Sequence, residues 1–170
     1  MFRSSCLYVV LMVCAFTTGA RASTITVGSG SNQAILLVDF SDGADYTFDV
    51  HFDGTTTGIG LFDVIEAGTT LTTNRQTFGS DVYIDGISFQ GHSDSGYGGG
   101  DNWWHYWNKD IGQSDWAFAS VGPSSRTVED GFWDGWVYGN ENAPVPEPSA
   151  IVILASGALL FIRRRWNHTA

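Results

Sequence analysis

The cleanest alternation in the chain runs from Tyr46 to Phe52. Tyr46, Phe48, Val50 and Phe52 fall on one side of an extended segment, and Thr47, Asp49 and His51 on the other. That two-residue period is the signature of a half-buried strand. Just before it, residues 34–40 (Ala-Ile-Leu-Leu-Val-Asp-Phe) form a nearly continuous apolar run of strand length. Asp42-Gly43 and Asp53-Gly54 supply the turns that end the two strands. A shorter strand is predicted at Ile25-Thr26-Val27, inside a flexible polar lead-in spanning 23–33.

The period changes over 55–67. Ile59, Phe62 and Ile65 recur every three residues beside Leu61 and Val64. Thr57 is placed to cap the start, and Gly68 to end the last turn. This pattern predicts one short helix, with Leu71 packed beneath it. Residues 82–89 then read as a strand, a turn at Asp85-Gly86 and a restarted strand. Residues 90–102, rich in glycine, serine and aspartate, are expected to form a mobile loop. No lysine and no helix follow them, so they are not a phosphate cradle.

An aromatic segment comes next. In a strand, Trp103, His105 and Trp107 share one face, while Trp104 and Tyr106 share the other. Residues 103–108 and 115–120 are expected to pair as a hairpin turning at 109–113, and Asp134–Tyr138 to close the fold. The expected class is α+β and mostly β: a single small domain of antiparallel strands with one short helix. Residues 139–145 read as a linker.

The two ends of the chain differ from this middle. Residues 1–22 carry an early Arg3, an apolar core from Cys6 to Phe16, and Ala20-Arg21-Ala22, a small-residue cleavage site. That order predicts a secretory signal peptide and export through the secretion translocon. Both cysteines, Cys6 and Cys14, lie within it, so the exported domain, residues 23–143, has neither disulfides nor thiolate metal sites. At the other end, Pro146-Glu147-Pro148 precedes an uncharged apolar run over 150–162, and Arg163-Arg164-Arg165 follow. The run has 13 residues, short against the roughly 20 of a spanning helix. A short, disposable membrane helix with a basic stop suits a sorting signal, residues 144–170, better than a permanent anchor.

These three parts, in this order, resemble the PEP-CTERM sorting signal. The resemblance implies an exosortase that recognises Pro146, Glu147 and Pro148 with the Arg163–Arg165 cluster and cuts near the proline motif. It also implies transient membrane insertion through 150–162, then delivery to the cell surface or surroundings of a Gram-negative bacterium.

Charge sharpens this picture. All 18 acidic residues lie within 39–147, and only Arg75, Lys109 and Arg126 offset them outside the two signals. Over residues 23–147, three basic against eighteen acidic residues leave a net charge of −15. A surface so acidic repels nucleic acid, which is therefore not an expected partner.

A second resemblance covers about residues 35–139. Thr57-x-x-x-Leu61-Phe62, the stretch from Phe78-Gly79 through Tyr83-Ile84-Asp85-Gly86-Ile87, Trp104-x-Tyr106-Trp107, and Glu129-Asp130-Gly131 followed by Gly135-Trp136-Val137-Tyr138 occur in this order. Together they resemble the C-terminal domain of the cobalamin carriers, transcobalamin and intrinsic factor. The resemblance implies a mostly β domain with one helix and a role in holding a corrinoid or another flat ligand.

Candidate chemistry is concentrated in aromatic residues. Trp103, Trp104, Tyr106 and Trp107 are the ligand-binding candidates, as a stacking platform for a sugar ring or a corrin; plain core packing is the competing use. His51, His92 and His105 lack H-x-H or H-x-x-H spacing, and Asp94, Asp101 and Asp110 lack a calcium-loop pattern. Neither a metal site nor a bound cofactor is expected. No G-x-S-x-G, H-E-x-x-H or cysteine nucleophile is present outside the signal peptide, and the expectation is a non-enzymatic surface binding module. The alternative is a structural component of an extracellular, exopolysaccharide-associated matrix that binds no small ligand.

Overall fold

A computed structural model describes residues 24–96 and 99–145. The signal-peptide and sorting-signal expectations, including Ala20, Ala22, Pro146–Pro148 and Arg163–Arg165, lie outside these residues. Among the described residues no helix is long and apolar enough to cross a membrane.

Three consecutive strands open the fold: β1 (Thr24–Gly28), β2 (Asn32–Asp39) and β3 (Asp45–Phe52). They belong to a six-stranded sheet with β8 (Trp104–Lys109), β9 (Ala117–Phe118) and β11 (Trp133–Tyr138), in the order β1-β3-β2-β11-β8-β9. The register of β2 and β3 sets Leu36 opposite Phe48 and Ala34 opposite Val50. Their side chains, with Val38 and Phe52, are buried on one face, as the alternation requires. Two pairings depart from the antiparallel expectation. β1 runs parallel to β3, and β11 runs parallel to β2. The last strand thus enters the middle of the sheet between β2 and β8.

The buried face carries α1 (Gly58–Gly68). Thr57 caps it, its hydroxyl accepting from the Gly60 amide at 3.0 Å. The backbone carbonyls of Arg126 and Pro123 accept from Gly58 and Ile59, satisfying two more free amides. Leu61, Phe62 and Ile65 are fully buried, and Phe62 meets Trp136 edge-on at 5.6 Å. Gly68 ends the helix without a left-handed turn. Thr69 takes over in extended geometry, donating to the Ile65 carbonyl at 2.8 Å. Leu71 is buried under the helix, as expected. A two-stranded ribbon, β4 (Thr56–Thr57) with β10 (Thr127–Val128), flanks the helix start.

A second sheet covers the rest of that face: β5 (Thr72–Phe78), β6 (Asp81–Phe89) and β7 (His92–Ser95). Here two expectations are corrected. Asp85-Gly86 is not a turn, because β6 is one continuous strand and the pair forms a β-bulge opposite Asn74 and Arg75. The extra residue shifts the phase of alternation, so that Ile84 and then Ile87 and Phe89 are buried. Residues 92–95 are strand rather than loop, because Gln90 and Gly91 take positive φ and close a tight hairpin. Arg75 ties β5 to the helix, reaching Asp63 at 2.6 Å and Glu66 at 2.9 Å.

Residues 139–145 do not behave as a free linker. They return across the opposite face of the large sheet, where Pro144 is buried over Gly135. A Cβ on Gly135 would stand 2.3 Å from the Pro144 ring. That approach explains why a glycine occupies a central strand.

Candidate functional site

The two sheets do not close over their whole length. Between the β5–β6 hairpin end and the β8–β9 edge they leave a groove of about 630 Å³. One wall is Phe78, Tyr83 and Ile84, the other is Trp103 and Phe118, and Trp104, Tyr106 and Trp136 form the floor. Residues 119–123 form one end. Polar side chains are few: Gln76, Asp85 and Ser120.

Each wall follows from its strand. Trp104 and Tyr106 point into the core side of β8, where Tyr106 stacks on Trp136 with ring centres 4.5 Å apart. The Trp104 indole donates to the Asp94 carbonyl at 3.2 Å and is only 4% exposed. It is therefore a fixed floor. Tyr138 donates to the Ser95 carbonyl at 3.0 Å, so β7 is fastened to the large sheet beside that floor. The rim is different. Phe78 is 67% exposed and Phe118 50%, and Tyr83 and Val121 are also exposed. Large apolar groups held in water around an apolar floor are the usual composition of a ligand groove.

Three of the four aromatic candidates, Trp103, Trp104 and Tyr106, line this groove. Trp107 does not. It lies on the other face of β8, opposite Gly135, and meets Phe118 edge-on at 5.3 Å. The opposing wall, Phe78 and Tyr83, comes from a hairpin far away in sequence. Only their exposure, visible once the strands are paired, marks them as part of the site.

Beneath the groove lies a buried polar pair. Asp134 is fully buried and accepts from the Tyr106 hydroxyl at 2.5 Å. Its other oxygen faces Arg126 Nε at 3.4 Å, and Arg126 pairs with Asp110 at 2.6 Å. Burial pushes the Asp134 carboxyl up to about 6, although Tyr106 and Arg126 pull the other way. Burial and the Asp134 carboxylate push the Tyr106 phenol far up, so it acts as a neutral donor. A methyl on Gly58 would approach the Tyr106 oxygen to 2.6 Å, which fixes glycine at the first helical position.

The histidines are dispersed. His51 lies 3.3 Å from Asp49 at the sheet surface, and His92 pairs with Asp42 at 2.6 Å. The hydrogen bond from His92 holds the Asp42 carboxyl below the usual range. Among the described residues the one grouping with metal-ligand chemistry is Asp101, His105 and Glu141, away from the groove floor. Asp94 is engaged elsewhere, accepting from the Ser41 amide and hydroxyl at 2.8 and 2.7 Å. Asp110 is committed to Arg126.

No family model matches this chain, and no curated protein or solved structure matches it either.

Proposed function

We propose that this chain is an exported envelope protein, processed by an exosortase at the Pro146-Glu147-Pro148 motif, whose domain binds a ring-shaped ligand in the aromatic groove. The observation that carries the binding reading is the combination of a rigid floor, Trp104 and Tyr106, with the exposed rim aromatics Phe78 and Phe118. A module with a purely structural role has no need of such a rim, since burying these rings would add stability. The volume, about 630 Å³, falls within the roughly 300–1,000 Å³ of small-molecule sites. It exceeds a single sugar ring. Aromatic faces with few polar groups suit flat partners: the faces of sugar rings in an oligosaccharide, or part of a corrin.

The test is a tryptophan-fluorescence titration of the full-length chain in detergent against cobalamin, cobinamide and a panel of oligosaccharides. The corrinoids require an absorbance control. Saturable quenching that weakens at least tenfold in Phe118→Ala, a surface change that leaves the fold intact, supports the groove and names the ligand class. No saturable response to any member of the panel favours a matrix role without a small ligand. For the sorting step, Pro146→Ala with Pro148→Ala should leave the precursor uncut in a host carrying an exosortase. Unchanged processing would remove that part of the proposal.

A further inference from the structure

His105 is 1% exposed, and neither of its ring nitrogens has a hydrogen-bond partner. A neutral imidazole carries one N–H donor and one lone-pair acceptor, and burying both without a partner is costly. The ring of Trp103 lies over it with centres 3.8 Å apart and shields one side. Two carboxylates stand nearby. One oxygen each of Asp101 and Glu141 and a ring nitrogen of His105 all lie within 4.8 Å of one another. Both acids are exposed, so the cluster opens to solvent.

The ladder brings these three together. Tyr138 pairs with Trp104, and the Gly139 amide donates to the Trp103 carbonyl at 3.2 Å. The turn leading into β8 and the turn leaving β11 therefore meet at one end of the sheet. Asp101 sits on the first and Glu141 on the second.

We propose that Asp101, His105 and Glu141 form a binding site for a divalent transition-metal ion of the zinc class. One imidazole and two carboxylates are a mixed nitrogen–oxygen set. The nitrogen favours zinc and its neighbours over magnesium and calcium, which prefer all-oxygen sites. Three protein ligands leave a position open for water. Ligands at about 2.0–2.1 Å from one tetrahedral ion stand roughly 3.3 Å apart, so the site contracts on binding. Asp101 and Glu141 lie on surface turns that can move by that amount. The ion supplies the partner that the buried imidazole lacks. It also joins residues 139–145 to the turn before β8, next to the groove wall at Trp103. Spacing along the chain hides this site, because Asp101 and His105 are four apart while Glu141 lies beyond β11.

The experiment is calorimetric titration of the full-length, metal-stripped chain in detergent with zinc chloride at neutral pH. One equivalent should bind. Asp101→Asn and Glu141→Gln, both surface changes that preserve the fold by circular dichroism, should each weaken it at least tenfold. Cobalt(II) should bind the wild-type chain with visible absorption bands of low-coordinate geometry, and zinc should shift the nitrogen resonances of His105. Absence of zinc binding would overturn the proposal. So would binding that Asp101→Asn and Glu141→Gln leave unchanged, which would place the ion elsewhere on the acidic surface. Unmoved His105 resonances at saturating zinc would overturn it as well, reducing the cluster to a histidine beside two acids.

Discussion

Tyr106 donates its hydroxyl to Asp134 across 2.5 Å in the interior, joining adjacent strands β8 and β11. The pair has a pH signature. Asp134 titrates at about 6 in the folded protein, against an ordinary value of 3.8. The folded state therefore holds this proton more tightly than the unfolded chain. Stability from this group is fully present below about pH 4 and is lost as pH rises through 6, by about 3 kcal/mol in total once pH is well above 6. In urea melts, the stability of wild type relative to Asp134→Asn should fall by about 2 kcal/mol between pH 4 and 6. A difference independent of pH would contradict the assignment.

Arg75 is the clip between the small sheet and the helix. Its guanidinium meets Asp63 and Glu66, and its Nε donates to Thr73 at 2.7 Å. Asp63 is 61% exposed and contributes little after solvent screening. Glu66 is better covered and also accepts from the Thr73 amide at 2.8 Å. Arg75→Ala should cost about 1 kcal/mol, and Asp63→Ala less than about 0.5 kcal/mol. Urea melts in low and high salt separate the two, with the Asp63 effect vanishing first.

Gly135→Ala tests the returning tail. The added methyl cannot coexist with Pro144 at 2.3 Å. The tail is the part that can yield, so residues 139–145 should lift off at a cost of about 1–3 kcal/mol. Limited proteolysis with mass spectrometry should show faster cutting there. Cleavage at the wild-type rate would mean that Pro144 is not seated on β11.

Core and rim phenylalanines should separate cleanly. Phe62 is fully buried against Trp136, and Phe62→Ala should cost about 3–5 kcal/mol. Phe118 is half exposed, and Phe118→Ala should change stability by less than about 0.5 kcal/mol while lowering ligand affinity. Thermal melts measure the first effect and the fluorescence titration the second. Equal losses of stability would mean that Phe118 belongs to the core.

Local pattern reveals some of these elements and conceals others. β3 and α1 are visible because alternation and a capped three-residue period coincide with burial of Phe48, Val50, Leu61 and Ile65. β5 is invisible because Thr72–Phe78 is a polar edge strand, most of it exposed, with no apolar face to declare. The Asp85-Gly86 bulge looks like a turn because both use the same residue types. Parallel pairing of β1 with β3 and of β11 with β2 leaves no local mark at all. At the groove the aromatic strand was conspicuous, but its opposite wall depends on where β5 and β6 come to rest. Within β8, Trp107 differs from the lining residues Trp104 and Tyr106 in the parity of its position, while Trp103 reaches the groove from just before the strand.

The seat of Pro144 on β11 also has a mechanical meaning. β11 is a central strand, laddered to β2 on one side and to β8 on the other. Tension applied beyond Val145 must first peel the tail from Gly135 and then draw on a strand that two neighbours grip at once. Tension at the opposite end meets β1, an edge strand laddered to β3 alone. A pull on the C-terminus would thus load a strand laddered on both sides, and the aromatic groove, built on the adjoining β8, would keep its shape under strain.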